Sequence, residues 1–173
     1  EVHYKFIEVA INVGEFGEAE RVTRESSVYD PERVKSFLME VRPKDPRPLI
    51  NVCDRFGFVE EMVVHMVKNK QIKFVEGYVQ RVNPLKCPQV VGSLLDIDYN
   101  DEFIKNLIMS VKNTVPVEEL VDEVEKRNRI KILLQFLEAR VADGATDVGV
   151  HSGIAKVYVE SNINPEHFLD TNA

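Results

Sequence analysis

Cysteine, histidine and clustered carboxylates are the residues from which chemistry would have to start in this chain. Cys53 and Cys87 are its two thiols. Either could be a nucleophile, but only with a base beside it to take the proton. Cys53 closes the apolar run Leu49-Ile50-Asn51-Val52-Cys53, and Cys87 precedes Pro88. Both settings read as small buried hydrophobes. The four histidines are His3, His65, His151 and His167. None has a convincing second ligand at i+3 or i+4, and neither H-E-x-x-H nor C-x-x-C occurs. His65 lies beside an apolar helical stripe and reads as structural or surface.

The segment Asp96-Ile97-Asp98-Tyr99-Asn100-Asp101-Glu102 starts like a calcium loop, with oxygens at its first, third and fifth positions. Its sixth position is Asp101 where a calcium loop needs Gly, and its twelfth is Leu107 where it needs a bidentate Glu. It is expected to be a linker in which Asn100, Asp101 and Glu102 cap the next helix. The eight glycines are scattered and make no phosphate-cradling loop. The expectation is therefore no catalytic, cofactor-binding or metal-ligating residue, no cofactor and no enzyme. Two basic clusters remain: Lys68, Lys70 and Lys73, and Lys126, Arg127, Arg129 and Lys131. Each straddles a junction between helices. Such residues complement helix dipoles at C-termini. The sharper reading is electrostatic contact with an acidic partner, which could be another copy of the chain.

The elements that hold these residues are helical. Val34, Phe37, Leu38 and Val41 share one face of a helix, as do Phe58, Val59, Met62, Val63, Met66 and Val67. Further stripes are Phe103, Ile104, Leu107, Ile108 and Val111, then Val117, Leu120, Val121 and Val124, then Ile130, Leu133, Leu134 and Leu137. Val2, Phe6, Val9, Ala10 and Val13 predict a first helix with that side in the core. The helix expected over about Arg129 to Asp143 carries a second apolar line, Ile132, Phe136 and Ala139, and should be buried between neighbours. The helix before it, with Glu118, Glu119 and Asp122 on its other side, shows one apolar face. With 27 valines, which are mediocre helix formers, these helices must be held by packing more than by propensity.

Punctuation agrees with period. Asp30-Pro31-Glu32 and Asn164-Pro165-Glu166 are N-cap, first-turn Pro and first-turn carboxylate. Asn83-Pro84 and Val115-Pro116 mark two more starts, and Gly14, Gly57 and Gly144 stand where helices should stop. Starts fall near residues 1, 16, 31, 46, 57, 71, 85, 100, 116, 129, 147 and 165. This predicts an all-α solenoid of about twelve short helices paired into hairpins of roughly 30 residues, running through residues 1–173 as one continuous segment.

The 173 residues carry a formal net charge of −7 and are 44% hydrophobic, ordinary for a core-forming chain. The acidic balance argues against non-specific nucleic-acid binding. No apolar run approaches the ~18 residues of a membrane span. Two cysteines and no N-x-[ST] acceptor make a reducing, cytoplasmic setting the expectation. The chain opens Glu1-Val2-His3 inside an apolar-periodic segment, without Met, and is expected to be a piece of a longer one.

Several stretches are recognisable as words: YDPERVKSFL (29–38), PLINVCDRF (48–56), YVQRVNP (78–84), GSLLDID (92–98), EKRNRIKILLQFLEARV (125–141) and SNINPEHFL (161–169). Through them the chain closely resembles the clathrin heavy-chain family over essentially its whole length. The resemblance implies a segment of the distal leg that straddles a boundary between heavy-chain repeats. It implies a structural role: three heavy chains form a triskelion whose legs interleave into the lattice that coats vesicles in endocytosis and intracellular transport, on the cytoplasmic face of coated pits. Its implied partners are other heavy chains. Light chains and adaptors would bind regions outside this segment, and the membrane would be met only through adaptors. The alternative is a solenoid binding module of a vacuolar-sorting or tethering subunit.

Overall fold

A computed structural model describes residues 2–144 and 148–161. The expected helix start near 165, His167 and most of the 161–169 word lie outside those residues. Among the described residues all regular structure is helical. The chain divides into two compact units, Glu1–Val75 and Glu76–Ala173.

The first unit contains α1 (Val2–Asn12), α2 (Phe16–Glu25), α3 (Pro31–Val41), α4 (Arg47–Phe56) and α5 (Val59–Lys68). The short α6 (Ile72–Gly77) follows. Successive helices pack as hairpins, α1 on α2 and α3 on α4, while α1 also touches α3 and α2 touches α4. Odd and even helices thus form two layers around Ile7, Ala10, Ala19, Val34, Leu38, Val52 and Met62, all buried.

The second unit follows the same plan. After a π-turn over Tyr78–Val82 and a 3-10 turn over Pro84–Lys86 come α7 (Cys87–Asp96), α8 (Asp101–Ser110), α9 (Val117–Glu125), α10 (Leu134–Ala142) and α11 (Val148–Ser161). α7, α9 and α11 pack in sequence as one layer, and α8 and α10 as the other. Leu94, Ile104, Ile108, Leu120, Leu133 and Leu137 fill the space between.

Helix ends explain the register. Asp30 caps α3 by accepting from the backbone N–H of Glu32 (3.1 Å) and Arg33 (3.4 Å), with Pro31 at the first position. Asn100 caps α8 through the N–H of Phe103, as its linker position implied. Gly14, Gly57 and Gly144 all stop helices with positive φ, 83°, 79° and 86°. The last carbonyls of α2 are closed from outside: Arg55 Nη1 donates to Thr23 O (2.6 Å) and Ser26 O (2.7 Å), and the Tyr29 hydroxyl donates to Thr23 O (2.7 Å). Tyr29 and Arg55 belong to two of the recognisable words, so those words join α2 to α4.

Left-handed residues at the corners after α1, α3, α5, α7 and α9 are Gly14, Arg42, Lys70, Asp98 and Asn128, so the steps between them are 28, 28, 28 and 30 residues. The repeat that sequence similarity hides is therefore written in the backbone. Four of these five corners lack glycine, and each L side chain there costs about 1–2 kcal/mol against the right-handed form. The Lys70 corner is closed by Gln71 N–H donating to Met66 O at 2.7 Å. Lys70→Gly should raise the unfolding free energy by about 0.5–1 kcal/mol in a urea titration, and Asn128→Gly by less, because Asn tolerates that conformation.

Two expectations are corrected. In α1 the buried side is Ile7, Ala10 and Ile11, while Val2, Phe6, Val9 and Val13 are exposed. α1 is apolar on two sides, and its contacts with α2 and α3 select the first set. Val41 is exposed too. The expected 129–143 helix starts as a 3-10 turn over Ile130–Leu133 before α10 begins. Its two apolar lines are both internal, at Ile132 with Phe136 and at Leu133 with Leu137, whereas Leu134 is half-buried.

Candidate functional site

Neither thiol is poised for chemistry. Cys53 and Cys87 are fully buried. Burial pushes both thiols up to about 12, so neither supplies thiolate at neutral pH. Neither hydrogen-bonds to a histidine. His65 is half-buried, and its imidazole is held below its ordinary value first by burial and then by the nearby Arg42 charge. It stays neutral at pH 7. Asn69 donates to the backbone carbonyl of His65 at 2.7 Å and accepts from Arg42 Nη1 at 2.8 Å. These bonds tie the corner after α3 to the end of α5. His151 is exposed on α11.

His3 is the exception to the reading of isolated histidines. Its Nδ1 lies 2.8 Å from Ser26 Oγ. The pair lines an open groove of about 570 Å³ between α1 and α2, beside Val2, Phe6, Val22 and Arg21. A serine nucleophile needs its base oriented by a third group and an oxyanion donor facing it. Among the described residues no carboxylate hydrogen-bonds to His3, so the contact joins two helices and makes no triad. Likewise, no group of three or more His, Cys, Asp or Glu able to hold a metal occurs among the described residues. No described helix is long and apolar enough to cross a membrane.

The calcium-like segment and the second basic cluster meet each other. Arg127 holds Asp96 through two bonds of 2.7 and 3.0 Å, and its Nη1 reaches Glu123 at 2.7 Å. Arg129 pairs with Asp98 and Asp101, and Lys126 with Glu123. The carboxylates that might have bound a cation are thus neutralised by arginines one repeat further along. The hydrogen bond from Arg127 holds the Asp96 carboxyl below its usual range. Burial alone would raise Glu123, but bonds from Lys126 and Arg127 outweigh it and hold Glu123 low as well. Gly92 in α7 makes room for this bridge, since a Cβ there would lie 2.8 Å from Glu123 Oε2 and 3.0 Å from Arg127 Nη2.

The sign of the pH effect follows from depressed carboxyl pKa values. Stability from the bridge is complete above the unfolded carboxyl range and lost as pH falls through the lower folded values. Arg127→Gln should cost about 1 kcal/mol at pH 7, a modest value because Asp96 is largely exposed. That difference should shrink as pH drops below about 4, read by urea titrations at stepped pH. A difference that persists undiminished at pH 2–3 would mean that the bridge is not its source.

Two features had no counterpart in the sequence reading. Lys35 is buried in α3, its side chain 7% exposed, and donates to Glu61 (2.6 Å) and Glu32 (3.1 Å) while lying 4.2 Å from the centre of the Phe58 ring. Burial opposes its charge, but the bonds to Glu61 and Glu32 prevail and its pKa is raised. Gly149 and Gly153, four residues apart on α11, admit close neighbours. A Cβ on Gly153 would meet Leu137 Cδ1 at 3.0 Å and Val121 Cγ2 at 3.1 Å, and one on Gly149 would meet Glu118 Cγ at 2.8 Å. Glycines inside an apolar helical pattern are the signal that could have found this. The first basic cluster differs from the second: Lys68, Lys70 and Lys73 are all exposed and make no ion pair among the described residues.

The model of a family described as the region in clathrin and VPS matches residues 1–102 and 108–173. The chain is 54% identical over 172 residues to rice clathrin heavy chain 2. It is 49% identical over 169 residues to the clathrin heavy chain of Dictyostelium discoideum, and 49% over 173 residues to human clathrin heavy chain 2. These matches cover 98–100% of the chain but only 10% of each relative.

Proposed function

The chain belongs to the clathrin repeat family, and from that premise we propose that it is a structural segment of a coat-forming heavy chain. The observation that carries this reading is the identity of about one residue in two, over 98–100% of the chain, to plant, amoeba and human relatives. The role is scaffolding and not enzymatic. Each helix layer is held by its neighbours, and Asp30, Asn100, Arg55 and Arg127 serve as caps and bridges between hairpins. Hairpins that contact only their neighbours can stack into a scaffold whose many weak surface contacts give strong yet reversible assembly. The partners are other copies of the heavy chain, in the lattice on the cytoplasmic face of coated pits and vesicles. Light chains and adaptors are met through other parts of the longer protein, and the membrane only through adaptors.

The test replaces the matching tenth of a relative's heavy chain with these 173 residues and follows polymerisation by sedimentation and electron microscopy. Lattices should form as with the unmodified relative. A chimera that folds but does not polymerise would overturn the reading. The family description also includes VPS proteins. Stoichiometric capture of a cytosolic protein by the chain, with no polymerisation of the chimera, would favour a binding module.

A further inference from the structure

Four corners follow α3, α5, α7 and α9, and each is charged. Arg42 and Lys44 lie at the first, Lys68, Lys70 and Lys73 around the second, Asp96, Asp98 and Asp101 at the third, and Lys126, Arg127 and Arg129 at the fourth. In the second unit the acidic corner is answered by the basic one through the bridges of Arg127 and Arg129. In the first unit two basic corners are neighbours, joined by the Arg42–Asn69 hydrogen bond of 2.8 Å. Arg42, Lys44, Lys68, Lys70 and Lys73 are all exposed, and none makes an ion pair among the described residues. Asp45, next to Lys44, is held by Arg47 at 2.6 Å. In a chain of net charge −7, five exposed cations on two corners joined by a hydrogen bond are a field that a partner must meet.

The same chain carries the complement. Glu118, Glu119 and Asp122 of α9 are exposed and have no ion pair among the described residues, although Glu123 and Glu125 on that helix are paired. Their i, i+3 and i, i+4 spacing puts them on one helix face. We infer that the cationic corner formed by Arg42, Lys44, Lys68, Lys70 and Lys73 docks the acidic face of α9 of a second copy of this chain. The two patches differ, so the contact is heterologous and can propagate from copy to copy without closing. It rests on the scaffold reading, and it adds which surfaces meet. Charge complementarity favours this occupant, because the matching carboxylates are already fixed on a helix of the same protein.

Sedimentation velocity of the 173-residue chain would test it at about 10 mM and about 150 mM salt, where the screening length shortens from ~30 to ~8 Å. Association should strengthen at low salt. K68E/K70E/K73E and E118K/E119K/D122K should each weaken it at least about tenfold, with helical circular dichroism unchanged. An equimolar mixture of the two reversed variants should restore it, since each then offers what the other lacks. Neutral K68Q/K70Q/K73Q keeps the test usable if a reversed variant misfolds, and it should weaken association by a smaller factor. Association unaffected by the reversals, or not restored by mixing, overturns the inference. So does loss of binding to phosphatidylserine vesicles by the lysine variants while self-association is unchanged, which would make the corner a lipid contact. Lattice formation by the chimera together with insensitivity to these reversals would remove this contact and leave the scaffold reading intact.

Discussion

Truncating Phe136 to Ala should lower the unfolding free energy by about 3–5 kcal/mol, the cost of lost burial plus the cavity left behind. Phe136 is 2% exposed, on a helix that packs against both α8 and α11. Its line continues Ile132 in the preceding 3-10 turn, and the opposite line, Leu133 and Leu137, is fully buried. The element is therefore internal on two sides and has little room to collapse around a hole. Leu134→Ala is the control, because Leu134 is half-buried, and it should cost under about 2 kcal/mol. Urea titrations of the two variants give the comparison. A loss below about 1 kcal/mol for Phe136→Ala would mean that α10 is not internal.

Gly153→Leu is expected to cost about 3 kcal/mol, for the opposite reason. A Cβ at that position already falls 3.0–3.2 Å from the side chains of Leu137 and Val121. A four-carbon side chain would have to part α11 from α9 and α10. Gly153→Ala should lie within about 1 kcal/mol of the unmodified chain, since the gain in helix propensity offsets a shift of a few tenths of an ångström. The contrast between the two is the diagnostic. If Leu is tolerated as well as Ala, the helices do not approach as closely as the two glycines allow.

Most helix starts were legible because local chemistry marks them. Pro31 behind Asp30, Pro84 behind Asn83, Asn100 before Asp101 and the glycines at 14, 57 and 144 each act within one turn of chain, and the described α-helix starts other than that of α10 fall within about two residues of the expected ones. What failed depended on neighbours. α1 has two apolar sides, and nothing within its eleven residues says which will meet α2 and α3. Leu134 fits an ideal helical stripe, but the turn before it is 3-10, whose tighter winding rotates that stripe. The electrostatic pattern could not be read from the sequence. Asp96 and Arg127 are 31 residues apart, Asp98 and Arg129 also 31, too far for any helical rule. They are related by one repeat, and only the left-handed corners at 98 and 128 make that relation visible.

The steps of 28, 28, 28 and 30 residues between left-handed corners also set how such a chain can change length. Each residue added inside a helix turns everything after it by about 100° and carries buried side chains toward water. One or two residues added in a connection leave both flanking helices in phase, and the longer step between Asp98 and Asn128 contains the longer connection, from Ser110 to Val117. A whole hairpin inserted or removed between equivalent corners conserves every interface except the one cut. The natural currency of duplication, deletion or splicing in this chain is therefore the hairpin, and isolated indels within helices should be rare among its relatives.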